Sequence, residues 1–543
     1  MMISKIKVKL NQINFLIIIL IVAFLLRLLP LNFPSFTSEE ARVAQRGYSL
    51  SATGEDELGR SFPLLFNSST DYQLPAVTYL TAVGTLIFGK SDLGVRIPFI
   101  LISVIMLIII FKVSKIFSID KKFQFLSTFI MAFSPALIFY SKIPNEVILI
   151  TFSFVLLFYL LSRKKINPII ILIIVIYSLT ISKIVWWTLI PYVSITLLFF
   201  QPNLIKRTKL KILLLTLILT ITAIFLFWHS PNSSKSFLEN DFSTFHENNL
   251  ITIINRLRGE GLESGWPPQL VKILFNKLNI LASSLLNWLS QFGFASLFGQ
   301  FYDNRVGGYF SMGLFTKVLI FPFVMGLIHL KSNNYRKFRV MILYILILTF
   351  PSVFIYPRES INILIMTIPF ITFIIALGLI HFNKFLIYLT LALIVFEVYI
   401  NAIYLTPEIK KSNQIRPQWI KTLAIDAYNL SINNQVAISD NIVSDIAPFL
   451  QWYTPLNAIK NSQIQFPYRF QQKDFANVKI ISSEATFYNC GLDKPTLIIS
   501  SNRDLAKIQR WLNLNADEII ENEYKDNLGV TIAYLLQPKI CVN

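Results

Sequence analysis

Eleven apolar stretches, each about as long as a membrane-spanning helix, dominate the sequence. The hydrocarbon core of a bilayer takes about 20 residues of α-helix. Only 15% of the 543 residues are charged and 54% are hydrophobic, whereas a typical soluble domain is about 25% charged. We therefore predict a polytopic α-helical membrane protein. The predicted spans are approximately 13–32, 93–113, 123–141, 146–162, 167–182, 184–201, 211–229, 314–330, 338–355, 361–380 and 385–404.

Clusters of Lys and Arg orient these spans. One cluster precedes the first span, and others follow the second, fourth, sixth and eighth, so all fall on one side of the membrane if the spans alternate. This side is the cytoplasm, and the N-terminus lies in it. The net charge of +19 is then largely a topology signal, which argues against nucleic acid as a partner. The clusters are Lys5, Lys7 and Lys9; Lys112, Lys115, Lys121 and Lys122; Arg163, Lys164 and Lys165; Lys206, Arg207, Lys209 and Lys211; and Lys331, Arg336, Lys337 and Arg339.

Three longer segments then lie outside the cytoplasm: residues 33–92, residues 230–313 and the tail from about 406. Within the first two, the apolar stretches 75–88 and 268–300 are predicted to lie at the membrane interface. If 75–88 were counted as a span, every later loop would be placed on the opposite side of the membrane. We expect a transmembrane domain over 1–405, with outer loops 33–92 and 230–313, and a soluble extracytoplasmic domain over 406–543.

The tail has the alternating pattern of a small α/β domain. Four runs resemble strands, and a helical pattern over 503–513 separates the last two. Outside the cytoplasm Cys490 and Cys541 could form a disulfide, and two free thiols are an equal alternative. The strand-like runs are 435–439, 477–482, 495–500 and 529–536.

Two adjacent carboxylates, Glu39 and Glu40, follow the end of the first span. Thr37 and Glu40 have the spacing of a capping box, which predicts a short helix over 38–50. Local sequence alone favours a structural role, in which the acids complement the dipole of that helix. The same geometry would also hold a carboxylate rigidly at the membrane surface, where an enzyme with a lipid-linked substrate needs a general base.

Short motifs follow one another in a fixed order through residues 30–160. They are Glu39-Glu40-Ala41; Thr53-Gly54-Glu55-Asp56-Glu57 with Gly59; Tyr72-Gln73-Leu74-Pro75 with Tyr79-Leu80; Phe88-Gly89; Arg96-Ile97-Pro98; Ser134-Pro135; Ser141-Lys142; and Glu146. In order and spacing they resemble the GT-C glycosyltransferases of the protein-mannosyltransferase family, which includes the aminoarabinose transferase that modifies lipid A. The resemblance is looser over 285–330 and 356–380, and it fades in the tail.

This resemblance implies transfer of a sugar from a polyprenyl-phosphate donor to a glycan, lipid or protein acceptor on the extracytoplasmic side. A single base with backside attack would invert the anomeric carbon. Glu39 would be the base, with Glu40 beside it, and Glu146 would shape the acceptor side. Lys183 matches a family lysine that could contact the donor phosphate, although a polar turn residue is an equal reading. Further candidates for substrate binding or site structure are Tyr72, Gln73, Arg96, Arg305 and Arg358.

Two residues depart from the family pattern. Glu39 stands where the family has Asp, and Gln73 stands where a Lys is expected, which removes a charge that could hold the phosphate. Lys183 or Arg305 would have to compensate. No cofactor is certain: the loop acids could hold a divalent metal, but the four His residues, among them His229 and His246, are scattered.

Two other classes of function remain open. A transporter or flippase for lipid-linked glycans would share the apolar bulk, but such proteins place broken helices near the midplane. The predicted spans are uninterrupted and the acids lie at the outer edge, which disfavours transport. A non-catalytic membrane scaffold would have no need of the acidic loop.

Overall fold

The computed structural model describes most of the helical region and parts of the tail. Arg305, Arg358, Cys490, Cys541, His229 and His246 lie outside the described residues, as does most of 503–513. The described residues are 2–29, 35–56, 59–67, 72–117, 120–163, 167–202, 205–228, 247–299, 301–303, 308–310, 313–332, 335–353, 360–411, 419–432, 435–439, 442, 446–454, 473–475, 478–481, 496–501, 505–506, 520–525 and 531–536.

The molecule is predominantly a bundle of apolar helices. In chain order the helices are α1 (Met2–Leu28), α2 (Ser38–Thr53), α3 (Pro75–Phe88), α4 (Asp92–Phe117), α5 (Lys121–Ala132), α6 (Pro135–Tyr140), α7 (Glu146–Leu161), α8 (Pro168–Leu179), α9 (Lys183–Phe200), α10 (Lys206–Trp228), α11 (Glu247–Glu263), α12 (Pro268–Leu274), α13 (Lys277–Ser290), α14 (Phe294–Phe298), α15 (Ile320–His329), α16 (Arg336–Thr349), α17 (Ser360–Ile365), α18 (Ile368–Leu379), α19 (Lys384–Lys411), α20 (Ile420–Ser431) and α21 (Ala447–Tyr453).

Every predicted span coincides with a helix or with two helices in succession. Four helical segments of the described chain are long and apolar enough to cross a membrane: Asp92–Phe117, Lys183–Phe200, Lys206–Leu226 and Lys384–Asn401. Large apolar side chains are exposed along the bundle, including 57% of Ile218 and 72% of Phe385. Apolar surface of this extent fits lipid better than water, so the chain is a multi-pass membrane protein, and the number of eleven spans stays a prediction.

The expectation of uninterrupted spans is wrong at two places. The third predicted span breaks between α5 and α6, where Ser134 caps the second segment and Pro135 occupies its first turn. The tenth breaks between α17 and α18, where Pro369 lies in the first turn of α18. Proline lacks a backbone N–H and cannot continue the hydrogen-bond ladder of a preceding helix. A proline thus lies in the first turn after each break, although Pro98 and Pro191 lie inside the unbroken helices α4 and α9.

Helices α2 and α3 confirm the predicted helices over 38–50 and 75–88. They pack closely, with α3 also lying against α4. Gly47 permits the approach: a Cβ at this position would lie 2.6 Å from the Thr81 side chain and 3.0 Å from the backbone nitrogen of Ala82. The polar helix α2 is thus fixed to the rest of the bundle through α3.

The tail contains a six-stranded mixed sheet. Its strand order is β6-β7-β5-β8-β10-β9, with β5 parallel to both β7 and β8 and the other pairs antiparallel. Four strands coincide with the predicted runs, while β6 and β9 were missed. Two short hairpins, β1-β2 and β3-β4, lie in residues 33–92 and 230–313, the two segments predicted as outer loops. The strands are β1 (Phe66–Asn67), β2 (Tyr72–Gln73), β3 (Phe301–Asp303), β4 (Gly308–Phe310), β5 (Gln435–Ser439), β6 (Lys473–Phe475), β7 (Val478–Ile481), β8 (Thr496–Ser501), β9 (Ile520–Lys525) and β10 (Thr531–Leu536).

The tail packs against the end of the bundle that carries α2. Helix α21 contacts α2, and Phe449 and Trp452 share a hydrophobic core with Ala44 of α2 and Val95 of α4. Lys112 and Lys115 lie near the opposite end of α4, which over its 26 residues is about 39 Å long. The tail and α2 therefore lie at one end of the bundle, and this basic cluster lies at the other.

The close contact between α2 and α3 gives a first prediction. Gly47→Ala should lower the thermal stability of the purified protein, because the added methyl group meets both a side chain and the backbone of α3; overpacking of this kind costs about 1–3 kcal/mol. Gly259→Ala is the matched control, since a Cβ at this position in α11 meets nothing within 4 Å. Melting curves in detergent that show equal stability for the two variants would contradict this packing.

Candidate functional site

The predicted acidic pair lies at the start of α2, and its two members occupy different environments. Thr37 is the N-cap: its hydroxyl accepts from the Glu40 backbone N–H at 3.2 Å, and its own N–H donates to Glu40 Oε2 at 3.2 Å. The capping box is therefore present, and Glu40 is buried. The Glu39 side chain is 53% exposed and lies 3.1 Å from Arg42 Nη1. Of the two carboxylates, only that of Glu39 is readily accessible to a substrate.

One face of α2 carries a row of charged side chains. Glu39, Arg42 and Arg46 follow one another at intervals of three and four residues, which places them on the same side of a helix. Arg42 and Arg46 are both buried. Arg46 Nη1 donates to Gln73 Oε1 at 3.1 Å, and its guanidinium lies 5.9 Å from the centre of the Phe66 ring. On this face of α2 the accessible carboxylate of Glu39 is therefore followed by the two buried guanidinium groups of Arg42 and Arg46.

Gln45 adds a polar group to the same buried region. Within the part of the chain that the structure describes, neither its side-chain oxygen nor its side-chain nitrogen has a hydrogen-bond partner, and the residue is 3% exposed. A buried amide without partners costs free energy, about 1–3 kcal/mol. Such a group in a native structure suits a position where a polar ligand completes the hydrogen bonds.

A second group of cations lies next to the start of α2. The Arg96 guanidinium lies 5.0 Å from the centre of the Phe36 ring, one residue before the N-cap. Lys142 Nζ donates to the Leu29 carbonyl at the end of α1. Burial, reinforced by the positive charges of Arg96 and Arg27, lowers the pKa of Lys142 to about 7. Burial is the main cause of this lowered pKa, and the two nearby guanidinium groups add to it.

Buried basic residues outnumber buried carboxylates among the described residues. The buried basic residues are Arg27, Arg42, Arg46, Arg96, Lys142 and Lys183, whereas the buried carboxylates are Glu40 and Asp56. Asp56 lies 2.6 Å from Arg60 and Glu40 takes part in the capping box. Burying charge of one sign is costly unless an opposite charge accompanies it. An anion bound at this end of the bundle would therefore interact favourably with several buried basic side chains.

The remaining predicted residues lie around this region to differing extents. Lys183 is the buried first residue of α9, and the preceding turn joins α3, because Thr180 O accepts from the Ala76 N–H at 3.2 Å. Glu146 is the half-buried first residue of α7. Tyr72 pairs through its backbone with Asn67 in the β1-β2 hairpin. Gln73 and Lys183 thus lie on segments that meet at the start of α3.

Sequence reasoning missed Arg42, Arg46, Gln45 and Lys142 as candidates. The signal for the two arginines was present, since their spacing from Glu39 places all three on one face of a predicted helix. No comparable pattern in the sequence singles out Gln45 or Lys142. Among the residues that the structure describes, no three His, Cys, Asp or Glu side chains come together as a metal site.

Comparison with known proteins supports the fold. No protein-family model matches the chain, and no curated protein matches it. Among solved structures, ArnT from Cupriavidus metallidurans bound to undecaprenyl phosphate aligns with a TM-score of 0.54 at 9% identity, over 97% of this chain and 98% of that one. The Archaeoglobus fulgidus oligosaccharyltransferase AglB, in complex with an inhibitory peptide and a dolichol-phosphate, aligns with a TM-score of 0.46 at 13% identity, over 97% and 74%.

The match to ArnT establishes the fold and nothing finer at this level of identity. ArnT is a GT-C glycosyltransferase. The resemblance seen in the order of the sequence motifs is therefore confirmed: this chain has the fold of the GT-C glycosyltransferases.

Proposed function

We propose that this chain, which has the GT-C fold, is a membrane glycosyltransferase that moves a sugar from a polyprenyl-phosphate donor to an acceptor. The acceptor is a glycan, a lipid or a protein, and the reaction takes place on the extracytoplasmic side. In this proposal the N-terminus is cytoplasmic, residues 1–405 form the transmembrane catalytic domain, and residues 406–543 form an extracytoplasmic domain. The solved ArnT structure, which is similar in fold, was bound to undecaprenyl phosphate.

One observation supports this chemistry most strongly: an accessible carboxylate lies beside several buried basic side chains. The acceptor hydroxyl would give its proton to Glu39, and its oxygen would form a bond with the anomeric carbon. The bond between that carbon and the phosphate oxygen would break, and its electron pair would leave with the phosphate. The buried cations would stabilise the negative charge that develops there. Attack from the face opposite the phosphate inverts the anomeric carbon.

The two acids then have separate roles. Glu39 is exposed and acts as the base, with Arg42 at 3.1 Å fixing the position of its carboxylate. Glu40 is buried in the capping box and fixes the start of the helix. The structural interpretation that local sequence favoured thus applies to Glu40, and the catalytic one applies to Glu39.

Arg46 supplies the charge that Gln73 lacks. Gln73 occupies the position of the expected lysine, and its side-chain oxygen accepts a hydrogen bond from Arg46. An arginine offers a planar pattern of donors that suits phosphate oxygens. In this proposal Arg46 contacts the donor phosphate, and Lys183 remains a further candidate for the same role. Arg305 and Arg358 stay as weaker proposals, Tyr72 and Glu146 as contacts on the substrate side, and Arg96 as a residue that fixes the start of α4.

A lipid-linked-glycan transporter is the second candidate, because two of the predicted spans are interrupted. The two functions differ in what happens to the donor. A transporter delivers the lipid-linked sugar intact to the other leaflet, whereas a transferase releases polyprenyl phosphate. The accessible Glu39 on a capped helix has a direct role in transfer and none in translocation.

The base assignment gives the second prediction. In membranes supplied with a polyprenyl-phosphate sugar, Glu39→Gln should lower the transfer rate by roughly 10²- to 10⁴-fold, the usual contribution of a general base. Glu40→Gln is the matched control, because glutamine also satisfies a capping box, and most activity should remain. Product formation is measured by mass spectrometry. Transfer that survives Glu39→Gln, or that is lost only in Glu40→Gln, would refute the assignment.

The pair of Arg46 and Gln73 gives the third prediction. Arg46→Met should lower kcat/KM for the donor by roughly 10²-fold, in the range for loss of one group that stabilises developing negative charge. Adding Gln73→Lys in that background should restore part of the loss, because it returns a cation to the same place. Arg256→Met, at a side chain that is 68% exposed on α11, is the control and should change little. Failure of the double variant to exceed Arg46→Met would argue against shared occupation of one charge site.

A further inference from the structure

The short helix α21 of the tail lies directly against the helix that carries Glu39. Phe449, Leu450 and Trp452 are all at most 3% exposed. They share a core with Ala41 and Ala44 of α2. The side of α2 that carries Ala41 and Ala44 is therefore covered by the tail. Helix α3 packs against α2 at Gly47.

Lys90 joins the tail to the membrane-embedded part. It lies in the turn between α3 and α4, and its Nζ donates to the carbonyl oxygens of Gln451 at 3.0 Å and Thr454 at 2.9 Å. These carbonyls lie at the C-terminal end of α21, where a helix leaves acceptors unsatisfied and favours a cation. The same ammonium lies 5.2 Å from the centre of the Tyr48 ring on α2 and 5.7 Å from that of Trp452. One lysine thus contacts α2 and the tail simultaneously.

Burial accompanies these contacts. Desolvation lowers the pKa of Lys90 to about 8, so the ammonium has lost much of its water. A hydrogen bond to a charged group in such surroundings is stronger than one at the surface. The contact of Lys90 with α21 is therefore an integral part of the interface between the tail and α2.

Trp452 forms the second link, next to the first residue of α2. Its indole N–H donates to Asp92 Oδ1 at 3.0 Å, and its ring centre lies 6.2 Å from that of Phe36. Phe36 immediately precedes Thr37, the N-cap that fixes where α2 begins. The tail thus contacts Phe36, which lies one position before the cap and three before Glu39.

We propose that the tail is a positioning element of the active site, in which Lys90 and Trp452 hold α21 against α2 and so fix the place of Glu39. The proposal rests on the function proposed above and adds a role for the tail within it. Neither residue touches the substrate; both act through the helix that bears the base. Small displacements of a catalytic group lower the rate of the chemical step more than they weaken binding of the substrate.

The experiment compares three variants of the full-length protein in membranes. Lys90→Met should lower kcat by roughly tenfold, with little change in KM for the polyprenyl-phosphate sugar, because misplacement of the base affects the chemical step. Lys90→Arg should recover most of the rate, since arginine can still donate to both carbonyls. Lys525→Met is the matched control: this lysine pairs with Glu523 at 2.9 Å on strand β9, and its loss should leave kcat unchanged. An equal fall in kcat for Lys90→Met and Lys525→Met would overturn the proposal.

Hydrogen exchange gives a readout that does not depend on sugar transfer. The backbone amides of α2 should exchange roughly tenfold faster in Lys90→Met than in wild type, because the hydrogen bonds that the Lys90 ammonium donates to the tail are lost. Lys525→Met should leave them as in wild type. Unchanged exchange in α2 of Lys90→Met would overturn the positioning role. If the wild type transferred no sugar while α2 exchange responded as expected, the proposed function would fail and the structural link would stand.

Discussion

The burial of a polar helix inside an apolar protein is the constraint on which the rest of the structure depends. Helix α2 buries Arg42, Gln45, Arg46 and Ser49, and polar groups removed from water are costly unless they find partners. Partners on α2 and on a neighbouring segment meet that requirement in part: Gln73 accepts a hydrogen bond from Arg46, and Glu39 pairs with Arg42. Several basic side chains are therefore buried along α2 and beside its start, which is the environment that the proposed phosphate site requires.

Much of the fold could be predicted from the sequence because hydropathy and capping are local signals. The spans, the helix over 38–50 with its capping box, and four strands of the tail all follow from residues close together in the chain. The breaks after Ala132 and Ile365 could not be read from hydropathy, since the flanking residues are as apolar as the rest. Prolines at 135 and 369 were the available signal. Strand β9 was missed because IENEYK is mostly polar, as suits an edge of the sheet.

The candidate site could be predicted from the sequence only for those functional side chains that lie on one helix. Glu39 and Glu40 are adjacent in the chain, and Arg42 and Arg46 follow at helical spacing, so one face could have been assembled from sequence. Pairing between Arg46 and Gln73 joins residues 27 positions apart, and contact between Lys90 and the tail joins residues more than 360 apart. Local pattern contains no information about such contacts. The sequence suggests Lys183 or Arg305 as compensation for Gln73, and the contact between Arg46 and Gln73 adds a third candidate.

The interrupted spans favour a transporter more than uninterrupted spans would. The fate of the donor lipid therefore distinguishes a transferase from a transporter. The most direct measurement is to incubate membranes containing the wild-type protein with a panel of polyprenyl-phosphate sugars and to follow both products by mass spectrometry. We expect one donor to be consumed, free polyprenyl phosphate to appear, and an acceptor to gain the mass of one sugar residue. Donors that stay chemically intact across the panel, while their sugar reaches the opposite leaflet, would contradict this expectation.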